Sequence, residues 1–252
     1  MIPAERQKKL LKLISKQEII SINELVKLLG VSHMTVRRDI QKLEQEGIVV
    51  SVSGGVKLLE HLFIEPTHND KSLLSTLQKE KIGSRSAELI PVNTTIYLDA
   101  GTTTLEIAHN IAQREDLLVI TNDFVIANFL MTNGQCELIH TGGSINKSNF
   151  SSVGELAAQL LKQLSIDLAF ISTSSWNLRG LTTPDEKKLP VKKAILQSSQ
   201  NKILVSDSSK YGKTATFSIC ELSVFNSIIC DDKLLLNAQE SIKEMEIDLI
   251  LV

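Results

Sequence analysis

The sequence contains little cysteine, which excludes several kinds of site. Only three cysteines, Cys136, Cys220 and Cys230, occur among 252 residues; they are odd in number and lie far apart within apolar runs. This distribution is typical of reduced, packed thiols and lacks the C-x-x-C spacing of a redox or zinc site. The five histidines show no H-x-x-x-H spacing either. We therefore expect neither a disulfide nor a bound metal.

Long apolar runs are lacking as well. No uninterrupted apolar stretch reaches the roughly 18 residues of a membrane-spanning helix, and the N-terminus opens with charged residues instead of the core of a signal peptide. Hydrophobic residues make up 42% of the chain and charged residues 22%, which is ordinary for a globular protein. The sequence therefore predicts a globular protein of the cytoplasm that has no membrane partner.

Charge is distributed unevenly along the chain. Residues 1–60 contain ten Lys or Arg against seven Asp or Glu, a formal net charge of +3, whereas the whole chain carries −2 and the remainder therefore −5. The length suits a large domain with a small satellite. A small basic domain on an acidic one is expected if the small domain alone meets a polyanion.

Two capped helices joined by a tight turn are predicted near the N-terminus. Residues 21–24, S-I-N-E, match a capping box, and the helix that they begin ends at Gly30, where glycine tolerates the left-handed conformation. Ser32 caps the next helix, whose inward face carries apolar residues at positions 36, 40 and 43. After Gly47, two β-rich runs surround Ser53-Gly54-Gly55, which predicts a β-hairpin. The first 60 residues, which we call the head, are therefore predicted to form a winged helix-turn-helix.

The outward face of the second helix of this pair is rich in groups that bind DNA. Arginine can take two hydrogen bonds on guanine, glutamine can pair with adenine, and threonine or a helix N-terminus can hold a phosphate. A merely solvated face that carries an Arg–Asp pair is the alternative interpretation. The sequence context favours contact with double-stranded DNA. The predicted DNA-binding residues are Ser32, His33, Thr35, Arg37, Arg38, Gln41 and Lys42.

The rest of the chain has the pattern of an α/β domain. Beyond about residue 76, strands that are apolar throughout alternate with amphipathic helices, as in a mostly parallel sheet that is covered on both faces. Residues 76–252, which we call the body, are predicted to form this domain. Residues 61–75 contain Pro66 and show no clean period, so they are predicted to be a linker.

Polar turns follow several of the predicted strands. The run after Leu98, D-A-G-T-T-T, closes a strand and opens a helix, whose amides and hydroxyls can hold a phosphate; an ordinary tight turn with a threonine cap is the alternative. Because other strand ends are also polar, they could converge on one crevice, where lysine would neutralise the phosphate and aspartate would accept sugar hydroxyls. These turns supply the predicted effector-binding residues Asp99, Gly101, Thr102, Thr103, Thr104, Thr121, Asn122, Gly142, Gly143, Asp207 and Lys210.

Motifs in both halves resemble those of the DeoR family of bacterial transcription regulators. In the head they are L-V-K-L-L-G-V-S at 25–32, M-T-V-R-R-D-I at 34–40 and the wing glycines. In the body, D-x-G-T-T, T-N, T-G-G, G-E and D-S-S-K-x-G follow in order, so the resemblance spans about residues 3–252. One difference bears on effector choice: Lys187-Lys188 stand before L-P-V-K, where relatives often have an acid.

The resemblance implies a fold and a function. It implies a winged helix-turn-helix that reads operator DNA and a sensor domain similar to ribose-5-phosphate isomerase. It also implies dimers or tetramers, and repression of a sugar-utilisation operon under the control of a phosphorylated sugar. It adds Glu155 and Lys192 to the predicted effector-binding residues and implies no cofactor.

An isomerase is the alternative function. It would need a carboxylate as general base and a group that stabilises the enediolate. Asp99, Glu155 and Asp207 qualify by residue type alone. An isomerase has no use for a basic helix-turn-helix, however, whereas a regulator explains both halves, so we expect no catalytic residue.

Overall fold

The computed structural model describes residues 2–17, 19–52 and 54–252; Ser53 of the predicted wing turn lies outside these ranges. In the head, three helices pack on a small antiparallel sheet of order β1-β3-β2, in which β2 and β3 form the predicted hairpin. The elements of the head are α1 (Pro3–Ile14), β1 (Ile20–Ser21), α2 (Ile22–Leu29), α3 (His33–Gln45), β2 (Val49–Val52) and β3 (Gly55–Leu58).

Local hydrogen bonds fix the ends of α2 and α3. Ser21 Oγ accepts from the Glu24 amide at 3.1 Å, and Gly30 ends α2 with a φ of 66°. Ser32 Oγ accepts from the Thr35 amide at 3.2 Å and so caps α3. The predicted capping box is only half formed, because the Glu24 carboxylate accepts from the Gln17 side chain at 3.2 Å instead of returning to Ser21. Both helices thus begin where the sequence predicts.

The remaining elements begin just after the wing. They are β4 (Glu60–His61), α4 (His68–Ser72), α5 (Thr76–Glu88), β5 (Thr95–Leu98), α6 (Thr102–Ile111), β6 (Leu118–Thr121), α7 (Phe124–Asn133), β7 (Glu137–His140), β8 (Ser144–Asn146), β9 (Ser151–Val153), α8 (Glu155–Leu161), β10 (Ile166–Ile171), β11 (Ser175–Asn177), β12 (Gly180–Thr183), α9 (Leu189–Ser198), β13 (Ser199–Val205), β14 (Lys213–Thr214), β15 (Phe217–Cys220), β16 (Ser227–Cys230), α10 (Leu236–Glu244) and β17 (Asp248–Leu251).

A seven-stranded sheet of order β17-β16-β13-β10-β5-β6-β7 forms the centre of the body. Every pairing in it is parallel, which confirms the predicted sheet. Helices α5, α6 and α7 contribute to the apolar cluster on one side, and α8, α9 and α10 contribute to the other. The chain runs outward from β5 through β6 to β7 and then returns to β10 on the other side of β5. The strand order therefore reverses between β5 and β10, and ligands of such sheets bind beyond the carboxyl ends of strands at this point.

The segment predicted to be a linker carries secondary structure. Strand β4 pairs with β14, and α4 begins at a capping box formed by Thr67 and Asp70. The amide of His68 donates to Ser148 O at 2.9 Å. A five-residue helix and a two-residue strand are too short to show a period in the sequence, which is why the pattern predicted neither.

The wing packs against the body. Val50 of β2 is buried in the apolar cluster that contains Trp176 and Tyr211. On α3, Glu44 accepts two hydrogen bonds from the Asn237 side chain, at 2.9 and 3.0 Å. The head and the body thus share both an apolar contact and a polar one. Among the described residues, no helix is long and apolar enough to cross a membrane.

Candidate functional site

The predicted DNA-binding face lies on α3 and is largely open to solvent. Every predicted side chain on it is exposed except Thr35, which is half-buried and whose hydroxyl lies 2.9 Å from Ser32 Oγ. The neighbouring acid, Asp39, is buried and accepts a bond of 3.0 Å from Arg6 of α1. In the described part of the chain, neither Arg37 nor Arg38 has a salt-bridge partner. Both guanidinium groups are thus available to an external anion.

The two arginines have different surroundings. Arg37 lines a cleft of about 740 Å³ between α3 and α10, whose far wall includes Asn237, Glu240 and Glu244. Arg38 does not line this cleft. Helix α10 therefore lies along one flank of α3 and leaves the side that carries Arg38 free.

A second site lies where the strand order reverses, beyond the ends of β5 and β10. We call it the crevice. It consists of a cavity together with a smaller cavity beside it that shares Ala100, Lys188 and Lys192. The larger one is lined by Glu65, Lys71, Ala100, Gly101, Thr102, Thr103, Ser172, Thr173, Ser174, Thr182, Thr183, Lys188, Lys192, Lys210 and Ile219.

The structure brings together about half of the predicted effector-binding residues. Gly101, Thr102, Thr103, Lys192 and Lys210 line the larger cavity, and Asp99 and Asn122 line the smaller one. The predicted residues that line neither cavity are Thr104, Thr121, Gly142, Gly143, Glu155 and Asp207.

Several of the residues outside the cavities support the crevice or lie away from it. Thr104 Oγ1 donates to Asp99 O and to Gly101 O at 2.8 Å or less, which closes the turn after β5. Asp207 lies 3.1 Å from the Lys210 ammonium group. Glu155 pairs instead with Lys162 at 2.8 Å on the surface.

The turn after β5 is held rigidly by buried polar groups. Asn122 Oδ1 accepts from Tyr97 Oη at 2.8 Å and from the Ala100 amide at 3.0 Å. Asp123 accepts from the Gly101 amide at 3.1 Å, and its burial raises the pKa of this carboxyl to about 6. A side chain at Gly101 would put its Cβ 2.9 Å from Ser172 Oγ, so only glycine lets the two strand ends approach this closely. The adjoining residues of α6 are therefore presented to the crevice in a fixed position.

Two threonine hydroxyls at the start of α6 have no hydrogen-bond partner among the residues that the structure describes. Thr102 and Thr103 are 5% and 1% exposed, and neither Oγ1 bonds to any residue that the structure describes. Ser151 and Ser152 beside the smaller cavity have unpartnered hydroxyls as well. A buried hydroxyl without a partner is unfavourable, so these four groups mark the crevice as a place where polar ligand atoms fit.

Positive charge is concentrated in the same place. Lys192 donates to Asp99 and to Ser172 O, the latter at 2.6 Å. Lys71 and Lys188 both contact the Glu65 carboxylate. Four lysines thus line a cavity that has one lining carboxylate, Glu65, and two of these lysines, Lys192 and Lys210, also pair with Asp99 and Asp207.

The burial of these charges changes their proton affinities. Burial raises the pKa of Glu65, but the charges and hydrogen bonds of Lys188 and Lys71 outweigh it and bring the pKa to about 2. Burial lowers the pKa of Lys71, and it lowers the pKa of nearby Lys79 to about 8 with help from the charge of Lys210. An added negative charge in the crevice would relieve the repulsion among these lysines.

The sequence pattern missed several residues of the crevice. Glu65 and Lys71 come from the segment predicted to be a linker, and Ser172 to Ser174 follow β10, whose polar end is not among the predicted effector-binding residues. Lys188 was noted only as a difference from the family. The signal for Ser172 was present, because it occupies the same position after β10 that the D-A-G-T-T-T turn occupies after β5.

The donor set suits an anion more than a metal ion. In the part of the chain that the structure describes, no group of three or more His, Cys, Asp or Glu side chains could hold a metal. Lysine ammonium groups, hydroxyls and a helix N-terminus are instead the groups that proteins offer to phosphate.

Comparison with known proteins finds matches for both halves of the chain. Residues 6–61 match the DeoR-like helix-turn-helix domain, and residues 75–232 match the DeoR C-terminal sensor domain. An uncharacterized HTH-type transcriptional regulator of Haemophilus influenzae is 69% identical over 252 residues, which cover 100% of this chain and 98% of that protein. The glycerol-3-phosphate regulon repressor of Escherichia coli strain K12 is 29% identical over 232 residues, 92% of each chain. Among solved structures, ribose 5-phosphate isomerase A from Methanocaldococcus jannaschii is similar over 53% of each chain, with 15% identity and a TM-score of 0.39.

Proposed function

Because this chain belongs to the DeoR family of transcriptional regulators, we propose that it is a repressor of a sugar-utilisation operon and that a phosphorylated sugar bound in the crevice controls it. It is a transcriptional regulator and not an enzyme. We assign DNA binding to residues 1–60, the connection to residues 61–75, and effector binding and oligomerisation to residues 76–252; the connection also contributes Glu65 and Lys71 to the crevice. We expect it to act in the cytoplasm without a cofactor.

The exposed face of α3 supports operator binding. Arg37 and Arg38 have no carboxylate partner among the described residues, whereas Asp39 is bound by Arg6. In helix-turn-helix proteins the second helix enters the major groove, where arginine recognises guanine. We propose that Arg38 contacts a base or a phosphate in the groove, and that Arg37, on the side of α10, lies at the edge of the contact. One such helix reaches few base pairs, so we propose a homodimer or tetramer that reads two half-sites.

The observation that carries the effector assignment is that Thr102 and Thr103, whose hydroxyls have no partner among the described residues, line one cavity together with four lysines at the point where the strand order reverses. Hydroxyls and amides at the start of α6 would bind phosphate oxygens, and Lys192 and Lys210 would neutralise the charge. Asp99 would accept hydrogen bonds from sugar hydroxyls, and Asn122 could accept from them or donate to them. A relative named for the glycerol-3-phosphate regulon supports a small phosphorylated ligand.

A short path connects the crevice with the wing. Lys210 is followed by Tyr211, whose ring packs edge-on against Trp176 with the ring centres 4.9 Å apart. Next comes Gly212, where an added Cβ would lie 3.0 Å from a methyl carbon of Val50 on the wing. A ligand that moves Lys210 would thus alter the contact that positions the head. This path supports control of operator binding by the crevice. Such control requires that the affinity of the crevice for the ligand differ between two positions of the head relative to the body.

A thermal-shift screen against sugar phosphates tests the effector assignment. A ligand at 100 times its dissociation constant adds about 2.7 kcal/mol to the stability of the native state. We expect stabilisation by at least one phosphorylated sugar and none by the same sugar without its phosphate. The matched control is the Lys192→Met protein, which keeps the length of the side chain and removes its charge. Equal stabilisation by the sugar with and without phosphate would refute the assignment.

A further inference from the structure

Glu65 places a carboxylate in the same cavity that holds the proposed phosphate site. Its side chain is 9% exposed, lies 2.8 Å from the Lys71 ammonium group and also contacts Lys188. Both lysines line the crevice. An incoming phosphate would therefore find Lys71 and Lys188 already paired with Glu65, just as Lys192 and Lys210 are paired with Asp99 and Asp207.

Glu65 is held less firmly than Asp99 and Asp207, the carboxylates that pair with the other two lysines of the cavity. Asp99 accepts from the Ser172 amide at 2.9 Å in addition to Lys192, and Asp207 accepts from the Ser209 amide at 3.2 Å in addition to Lys210. Glu65 accepts, within the described ranges, only from the two lysine side chains. No backbone donor fixes its carboxylate, so its movement breaks no bond to the main chain.

The crevice is also too small for a phosphosugar unless a side chain moves. The larger cavity has a volume of about 20 Å³, which is room for roughly one water molecule. A phosphate group has five heavy atoms and needs more space. Since the turn after β5 is fixed by Asn122 and Asp123, Glu65 is the group that can give way.

We propose that Glu65 is a built-in competitor for the phosphate, and that the bound ligand displaces its carboxylate from Lys71 and Lys188. This inference rests on the proposed function of the crevice. The displaced residue lies seven positions after Leu58, the last residue of the wing. Between them, the Glu60 amide donates to Gly212 O at 3.2 Å and the Leu62 amide to Thr214 O at 2.7 Å. Displacement of Glu65 would loosen these bonds, which attach the segment below the wing to the body.

Hydrogen exchange of the full-length protein with and without inorganic phosphate tests displacement directly. Phosphate should be compared with chloride at constant ionic strength. We expect phosphate to reduce the protection of the amides in residues 60–65 by about fivefold or more. This measurement needs no variant, so it does not depend on whether a substitution at Glu65 folds.

Calorimetric titration with inorganic phosphate tests competition. Glu65→Gln keeps the shape of the side chain and removes its charge, so it should bind phosphate at least roughly fivefold more tightly. The matched control is Glu60→Gln, which removes an exposed charge from the same segment, 3.6 Å from Lys213 and outside the crevice. Glu60→Gln should bind phosphate within about twofold of the wild type.

The outcomes separate this inference from the proposed function. If wild-type protein binds phosphate while residues 60–65 keep or gain protection, or if Glu65→Gln binds no more tightly than Glu60→Gln, competition by Glu65 is wrong and the effector site stands. If neither phosphate nor any sugar phosphate binds to the wild type or the variants, the effector assignment is wrong and this inference fails with it.

Discussion

Replacing Thr102 or Thr103 with valine should stabilise the protein while it weakens ligand binding. Each threonine buries a hydroxyl that has no partner among the described residues, at 5% and 1% exposure. An unsatisfied buried hydroxyl costs about 1–3 kcal/mol, and valine has nearly the same shape without it. We therefore expect each substitution to raise the free energy of unfolding by about 1 kcal/mol. Urea denaturation at neutral pH measures this change as a higher midpoint with an unchanged slope.

The same substitutions should lower the affinity for the effector. A hydrogen bond to a charged phosphate oxygen contributes about 1.5–3 kcal/mol, so each valine should weaken binding by roughly 10-fold to 150-fold. A substitution that raises the stability of the protein and lowers its affinity for the ligand is expected when the hydroxyl binds the ligand and has no partner among the described residues. Titration calorimetry with the ligand from the thermal-shift screen measures the loss.

Thr104→Val is the matched control. Its hydroxyl is equally buried, but it donates to two backbone carbonyls, so valine there should destabilise the protein by about 1–3 kcal/mol. If Thr102→Val and Thr103→Val destabilise the protein as much as Thr104→Val, their hydroxyls have partners, and the reasoning about the crevice is refuted.

Three further predictions concern DNA, assembly and pH. Arg38→Ala should weaken operator binding by about 1–3 kcal/mol if it reads a base, or lower the salt slope by about 0.9 if it holds a phosphate; wild-type binding in a fluorescence anisotropy titration would remove it from the interface. Sedimentation of the full-length protein at micromolar concentration should give a dimer or tetramer, and a monomer bound to a complete operator would contradict two half-sites. The pKa of Glu65 is lowered from 4.5 to about 2 in the folded protein, so its stabilising contribution is present above pH 4.5 and is lost as the pH falls through 2. It should decrease by about 2 kcal/mol between pH 6 and pH 3. Wild type and Glu65→Gln should therefore differ in pH dependence by this amount, and parallel urea-denaturation profiles would contradict it.

The parts of the molecule that follow local rules could be predicted from the sequence. The caps of α2 and α3 depend on residues three positions apart, and the parallel sheet depends on strands that are apolar throughout. The crevice was partly predictable, because Asp99, Thr102 and Lys210 each follow a strand. These signals need only the sequence around each residue.

The rest depends on contacts between distant residues. Glu65 meets Lys188 across 123 positions, and Lys71 meets Asn149 across 78. Strand order also cannot be predicted from each strand alone. Gly142 and Gly143 follow β7 at the edge of the sheet, two strands away from β5, so their turn lies outside both cavities although its sequence resembles the others. The sequence pattern therefore identified polar strand ends without showing which of them meet.

The central claim is that a phosphorylated sugar in the crevice controls operator binding by the head. Operator affinity of Lys210→Met, measured by fluorescence anisotropy with and without the effector found in the screen, tests it most directly. Lys210 lies at the far end of the path to Val50 and carries none of the predicted DNA contacts. We predict that the variant binds operator within about threefold of the wild type but that the effector no longer releases it from the operator. Without Lys210, the affinity of the crevice for the effector would no longer depend on the position of the head. A variant that is released by the effector as readily as the wild type would contradict this account.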